Sequence, residues 1–206
     1  MTRTIFSGLV LLLAAPALSA DELPFVQVAA HAGYRAGGSL EDRTTGDDRD
    51  FDEGESFAAA LEFRYRPGDR RYYQLWYSRQ ASAVDDGLFS FDVDIEYLHL
   101  GGTIPIGDHE RAQPYFAAGL GATRFSSPEP GSSDKIRFSG SLAFGVAVPL
   151  AQRAAFRLEA RGYLTAVDSD SAIFCRSDDG SGFCRIIASG STVFQAEVLA
   201  GIAFRF

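Results

Sequence analysis

The segment Thr192 to Phe206 alternates apolar and mixed positions without a break. Phe194, Ala196, Val198, Ala200, Ile202, Phe204 and Phe206 share one register, and Gln195, Glu197, Leu199, Gly201, Ala203 and Arg205 share the other. A period of two sends successive side chains to opposite faces of an extended strand. The same period recurs upstream. Phe25–Arg35 sets Val26, Val28, Ala30, Ala32 and Tyr34 against Gln27, His31 and Arg35. Phe57–Arg66 sets Phe57, Leu61, Phe63 and Tyr65 against Glu62 and Arg64. Tyr72–Arg79 sets Tyr73, Leu75 and Tyr77 against Gln74, Trp76 and Ser78, with the apolar face less clear. Phe89–Ile104 opens with Phe89, Phe91, Val93, Ile95 and Tyr97 alternating with Ser90, Asp92, Asp94 and Glu96. Pro114–Phe125 is rich in Gly and Ala, and its faces are ambiguous. Lys135–Val148 and Ala155–Ala166 complete the set, the second with Arg157, Glu159 and Arg161 on its polar face.

Eight strands are therefore predicted, and their connections alternate in length. Residues 36–56, 80–88, 126–134 and 167–190 read as long polar loops. Arg66-Pro67-Gly68-Asp69-Arg70, residues 105–113 and the stretch after Val148 read as short turns. Sorting of long and short connections to opposite ends is the pattern of a membrane-spanning barrel, with short periplasmic turns and longer outer loops. The expected fold is all-β: an eight-stranded antiparallel up-and-down transmembrane β-barrel.

The first twenty residues change the location. Arg3 is followed by IFSGLVLLL and then by small residues up to Ala20, as in a cleaved secretory signal peptide. Residues 1–20 are read as that signal and 21–206 as the barrel domain. Removing the signal takes Arg3 with it and leaves 18 basic against 27 acidic side chains, which argues against a nucleic-acid partner. Export also favours a disulfide between Cys175 and Cys184 over a metal site, since no His, Asp or Glu stands at zinc-ligand spacing beside them.

In a barrel of this size side chains roughly fill the interior. The polar faces supply Glu62, Arg64, Glu96, Arg157, Glu159, Arg161, Glu197 and Arg205, expected to pair as an interior network. PYFAAGLGATRF, FRLEARGYL and the terminal VLAGIAFRF give the mature chain a resemblance to small bacterial outer-membrane β-barrels of the OmpA-like and OmpX-like kind, more broadly to porin-like barrels. The resemblance implies residence in the outer membrane, with both termini periplasmic and the long loops extracellular. It implies contact with lipid and lipopolysaccharide, and delivery by the barrel-assembly machinery through Ile202, Phe204 and Phe206. It implies no single activity.

A structural or surface-interaction role, with a plugged lumen and a monomeric barrel, is the first functional expectation. A narrow channel for small solutes is the alternative, and a lipid-A-modifying enzyme is a second. The enzyme lacks sequence support: neither Gly-x-Ser-x-Gly nor His-x-Ser occurs, and His31, His99 and His109 stand apart. No catalytic residue, cofactor or metal ligand is assigned. The acidic stretch 42–55 fails the EF-hand pattern, because Glu53 stands where its glycine belongs and Ala59 where its glutamate belongs.

Overall fold

The computed structural model describes residues 25–41, 48–85, 90–126, 134–167, 172–178, 181–187 and 192–206. The signal-peptide reading lies outside these residues. Eight long strands close into one antiparallel barrel: β1 (Val26–Ala36), β4 (Gly54–Arg64), β5 (Tyr72–Asp85), β6 (Ser90–Pro105), β7 (Gln113–Ser126), β8 (Lys135–Ala151), β9 (Ala154–Ala166) and β12 (Thr192–Arg205). Two small hairpins stand in the long connections: β2 (Ser39–Glu41) with β3 (Asp48–Asp50), and β10 (Ala172–Asp178) with β11 (Ser181–Ile187).

Each strand pairs with its sequence neighbour, and the terminal strands pair with each other. Gln27 meets Arg205 and Ala36 meets Ala196 at the two ends of that closing seam. Phe206 extends it: its N–H donates to the Val26 carbonyl at 2.9 Å. Every edge is thus satisfied within the sheet.

The register fixes the shape of the barrel. A path of paired residues runs Ala36, Ala196, Gly162, Leu142, Ala118, Gly102, Tyr73, Phe63 and returns to β1 at Val26. From residue 36 to residue 26 the stagger is ten residues over eight strands. With strands ~4.8 Å apart and a rise of ~3.3 Å per residue, this sets a tilt of about 40° and a backbone radius of about 8 Å. So narrow a tube has room inside for side chains and little else.

That narrowness explains the interior glycines. Gly201 pairs with His31 and Gly121 with His99, and each imidazole lies against its glycine. A Cβ on Gly201 would stand 2.4 Å from the His31 ring and 2.3 Å from the Ala30 carbonyl. A Cβ on Gly121 would stand 2.0 Å from the Leu98 carbonyl. The Gly- and Ala-rich β7, ambiguous as sequence, supplies such space: its inward positions include Ala117, Gly119 and Gly121.

The β4–β5 turn, residues 65–71, is held by Gly68 at φ 76° and by Asp69. The Asp69 carboxylate accepts from the Arg71 backbone N–H at 2.9 Å and from its guanidinium at 2.6–3.0 Å. Those bonds hold the Asp69 carboxyl at about 2. The turn contact is therefore complete above the ordinary aspartate range near 3.8 and is lost as pH falls through about 2.

Two outcomes are expected. Gly201→Val prevents closure and abolishes the heat-dependent shift in gel mobility, while Ala200→Val on the outer face leaves it. A carbon-detected NMR titration of Asp69 shows its midpoint near 2, and Arg71→Ala returns it to the ordinary aspartate range.

Candidate functional site

The barrel is polar within and apolar without. Its outward residues form a continuous greasy surface: Val28 and Tyr34 on β1, Phe57 and Phe63 on β4, Leu98, Leu100 and Ile104 on β6, and Phe138, Leu142 and Phe144 on β8, all exposed. On β12 the outward apolar run from Phe194 to Phe204 spans about 25 Å along the barrel axis at the tilt given above. This matches the ~25 Å apolar band of a membrane-spanning barrel.

Inside, three carboxylates lie in tiers, each with its own arginine. Nearest the short turns, Glu62 receives a forked pair of bonds from Arg157, at 3.1 and 2.7 Å. Gln74 and Thr103 also donate to Glu62, both at 2.9 Å, and Gln27 makes a further contact. In the middle tier Glu159 accepts from Arg161 Nε at 2.8 Å and from the Tyr115 hydroxyl at 2.7 Å. The Arg161 guanidinium lies over the Trp76 ring, 3.8 Å from its centroid, and donates to Ser141 and Gln74. Nearer the long loops, Glu197 accepts from Arg35 at 2.9 Å, from Ser78 at 3.1 Å and from the Tyr163 hydroxyl at 2.5 Å. Arg35 also faces the stacked rings of Tyr97 and Tyr163, 4.9 and 5.1 Å from their centroids.

All six charged side chains are almost wholly buried. A buried ion stays charged only with close partners, and here each has several. His31 lies beside these tiers without such bonds. It is buried with no hydrogen-bond partner at either ring nitrogen and lies 5.3 Å from Trp76.

Above these tiers the lumen turns apolar. Val93, Ile95, Phe125, Val167 and Val193 point inward and are buried, and Phe51 enters among them from the β3–β4 segment. Phe51 stacks on Phe125 with centroids 6.0 Å apart, and its N–H donates to the Gly38 carbonyl at 2.9 Å. The loop end of the tube is capped by hydrocarbon.

The remaining residues of the sequence-predicted network are placed as follows. Arg64 is buried at the turn end, where it donates to the Tyr72 hydroxyl at 3.2 Å. Arg205 Nε donates to Gln27 at 3.0 Å, which links it to Glu62. Glu96 does not point inward. It lies on the outer surface, accepting from Tyr77 at 2.7 Å and Arg124 at 3.0 Å, next to the Arg79–Asp94 pair. Asp94 is outward with it, while Val93, Ile95 and Tyr97 are buried inside, the reverse of the expected facing.

The reason is length. At sixteen residues, β6 rises about 38 Å along the axis at this tilt, well beyond a ~25 Å apolar band. Below Tyr97 its outward residues are Leu98, Leu100 and Ile104; above it they are Glu96 and Asp94. The strand therefore changes from apolar-out to apolar-in at one residue. Arg35, Gln74, Tyr115 and Tyr163, absent from the predicted network, complete it; each stands at an inward position of a period-two strand.

Ile202 and Phe204 are exposed on the outer face, and Phe206 completes the seam. Cys175 and Cys184 stand directly opposite each other in the β10–β11 register. The expected disulfide between them turns on side chains that the structure does not describe, and residues 42–47 of the acidic stretch 42–55 lie outside the described residues. His99 sits between Ser139 at 2.8 Å and Ser141 at 2.9 Å, buried in the filled lumen. Among the described residues no group of three or more His, Cys, Asp or Glu is arranged to hold a metal ion.

Glu62→Ala, which strands Arg157 in the lumen, is expected to cost about 3–5 kcal/mol of folding stability in urea titrations of the detergent-folded barrel. Glu62→Met combined with Arg157→Met recovers most of it. Glu96→Ala, on the partly exposed outer pair, costs under about 1 kcal/mol.

No protein-family model matches the chain, and no curated protein matches it by sequence. Solved structures do match. Neisserial surface protein A is 15% identical with a TM-score of 0.62, covering 88% of this chain and 97% of that one. Outer membrane protein AlkL, solved in lipid bilayers, is 15% identical with a TM-score of 0.59, covering 93% and 95%. Outer membrane protein OprG from Pseudomonas aeruginosa is 12% identical with a TM-score of 0.58, covering 90% and 97%. At these identities the likeness is one of fold, and the fold is that of the small outer-membrane β-barrels.

Proposed function

We propose that the protein is an integral barrel of the bacterial outer membrane whose lumen is sealed and whose work is done by its surface, without catalysis. The observation that carries this reading is the filled interior: three tiers of paired charges beneath an apolar cap containing Phe51. A permeant solute would have to displace these buried ion pairs. The outward apolar band and the fold of the matched structures support residence in the membrane. The short turns face the periplasm in this reading, and the acidic loops face outward, where lipopolysaccharide and its counter-ions lie. Delivery by the barrel-assembly machinery through the seam strand, and a monomeric state, belong to the same reading.

Purified protein in a planar lipid bilayer is expected to show no steady unitary openings. Reproducible openings of one size would replace the plug by the narrow-channel reading.

A further inference from the structure

The two ends of the barrel carry opposite charge. The long connections, residues 37–53, 86–89, 127–134 and 167–191, hold fourteen acidic and four basic residues. The short connections, residues 65–71, 106–112 and 152–153, hold five arginines against three acids. The arginines are concentrated in the β4–β5 turn, with Arg66, Arg70 and Arg71 inside seven residues.

Two of the three are neutralised in place. Arg71 is held by Asp69. Arg70 crosses to the β6–β7 turn, where it pairs with Asp108 and donates to Gln113 at 2.5 Å. Arg66 has no carboxylate partner among the described residues. Its guanidinium lies over the Tyr65 ring at 4.9 Å, and Arg71 lies over the same ring at the same distance. Tyr65 in turn packs against Tyr73 at 5.3 Å, and both rings are exposed on the outer, apolar face. Beside them a cavity of about 590 Å³ opens between the two turns; its lining includes Arg66, Asp69, Arg70, Arg71, Ile104 and Gly107, with the Asp69 carboxylate taken up by Arg71. One wall carries the positive charge of Arg66, since Arg70 and Arg71 are paired with Asp108 and Asp69, and the other continues into the greasy belt through Ile104.

We propose that this cavity binds the phosphate group of an anionic phospholipid in the leaflet on the turn side, with Arg66 as its principal ligand. A planar guanidinium offers a forked donor matched to phosphate oxygens, and stacking on Tyr65 holds it ready. The acyl chains continue over Tyr65, Tyr73 and Ile104. A free anion has no use for that apolar wall, and a soluble macromolecule would meet rings that lie at the level of lipid. The inference rests on the membrane reading above.

The test uses the full barrel in detergent, checked for heat-dependent gel mobility and then exchanged with phosphatidylglycerol or phosphatidylcholine of identical acyl chains. Native mass spectrometry reads the bound lipid. Preference for phosphatidylglycerol of about fivefold is expected, the size of one added surface cation acting on an anionic lipid. Arg66→Ala removes the preference, and Arg111→Ala on the neighbouring turn keeps it. Equal retention of the two lipids by a folded barrel overturns the site while leaving the membrane reading intact. Loss with Arg111→Ala equal to that with Arg66→Ala also overturns it, in favour of diffuse attraction to a basic rim. Displacement of phosphatidylglycerol by millimolar inorganic phosphate overturns the lipid as occupant. Failure of the wild-type chain to form a heat-shifted barrel removes the membrane reading and this site together.

Discussion

A sheet that meets hydrocarbon must leave no edge, because lipid offers no hydrogen-bond partner to an open strand. The seam between β1 and β12 answers that requirement, and much else in the molecule follows from it. Eight strands with a stagger of ten enclose a narrow tube. A narrow tube forces large side chains to lie against their neighbours, which is why imidazoles rest on glycines in adjoining strands. Closure also takes conformational freedom from every strand at once, so a clash at one inward position is felt around the ring.

The charged tiers are the second consequence. An apolar filling would pack such a tube well, and swapping buried ion pairs for hydrocarbon often costs nothing. It would, however, make the two faces of every strand alike. Alternation of charge and hydrocarbon tells each strand which side to present, and a slip of one residue would put Glu159 and Arg161 into lipid. We take the ion pairs as devices of register as much as of stability. Each carboxylate is bonded to at least one other strand, and two of the three to three or more. Glu62 on β4 gathers donors from β1, β5, β6 and β9.

Much of this was legible in the sequence wherever a strand keeps one polarity along its length. β9 and β12 do so, and Arg157, Glu159, Arg161 and Glu197 are lumen-facing by simple alternation. β6 does not. Its first half alternates with greater contrast than any other segment, and that contrast comes from a different environment, where apolar residues cap the lumen and acids face out. Read as one face, it turns Glu96 the wrong way. The signal was present in the change of phase at Tyr97-Leu98, where apolar residues pass from odd to even positions. Phe51 was hidden for another reason. It sits in an acidic connecting segment, and nothing local marks it as the residue that enters the mouth.

The phase change on β6 also acts as a waterline. Arg79, Glu96 and Arg124 stand side by side on three adjoining strands and face outward together. Phe138 and Phe194, on strands farther round the barrel, still present aromatic rings near the same end. Sinking the barrel by one turn of the pleat would submerge three charges in oil, and lifting it would expose the rings to water. The chain thus carries its own depth mark, written in charges on one flank and in rings on the other.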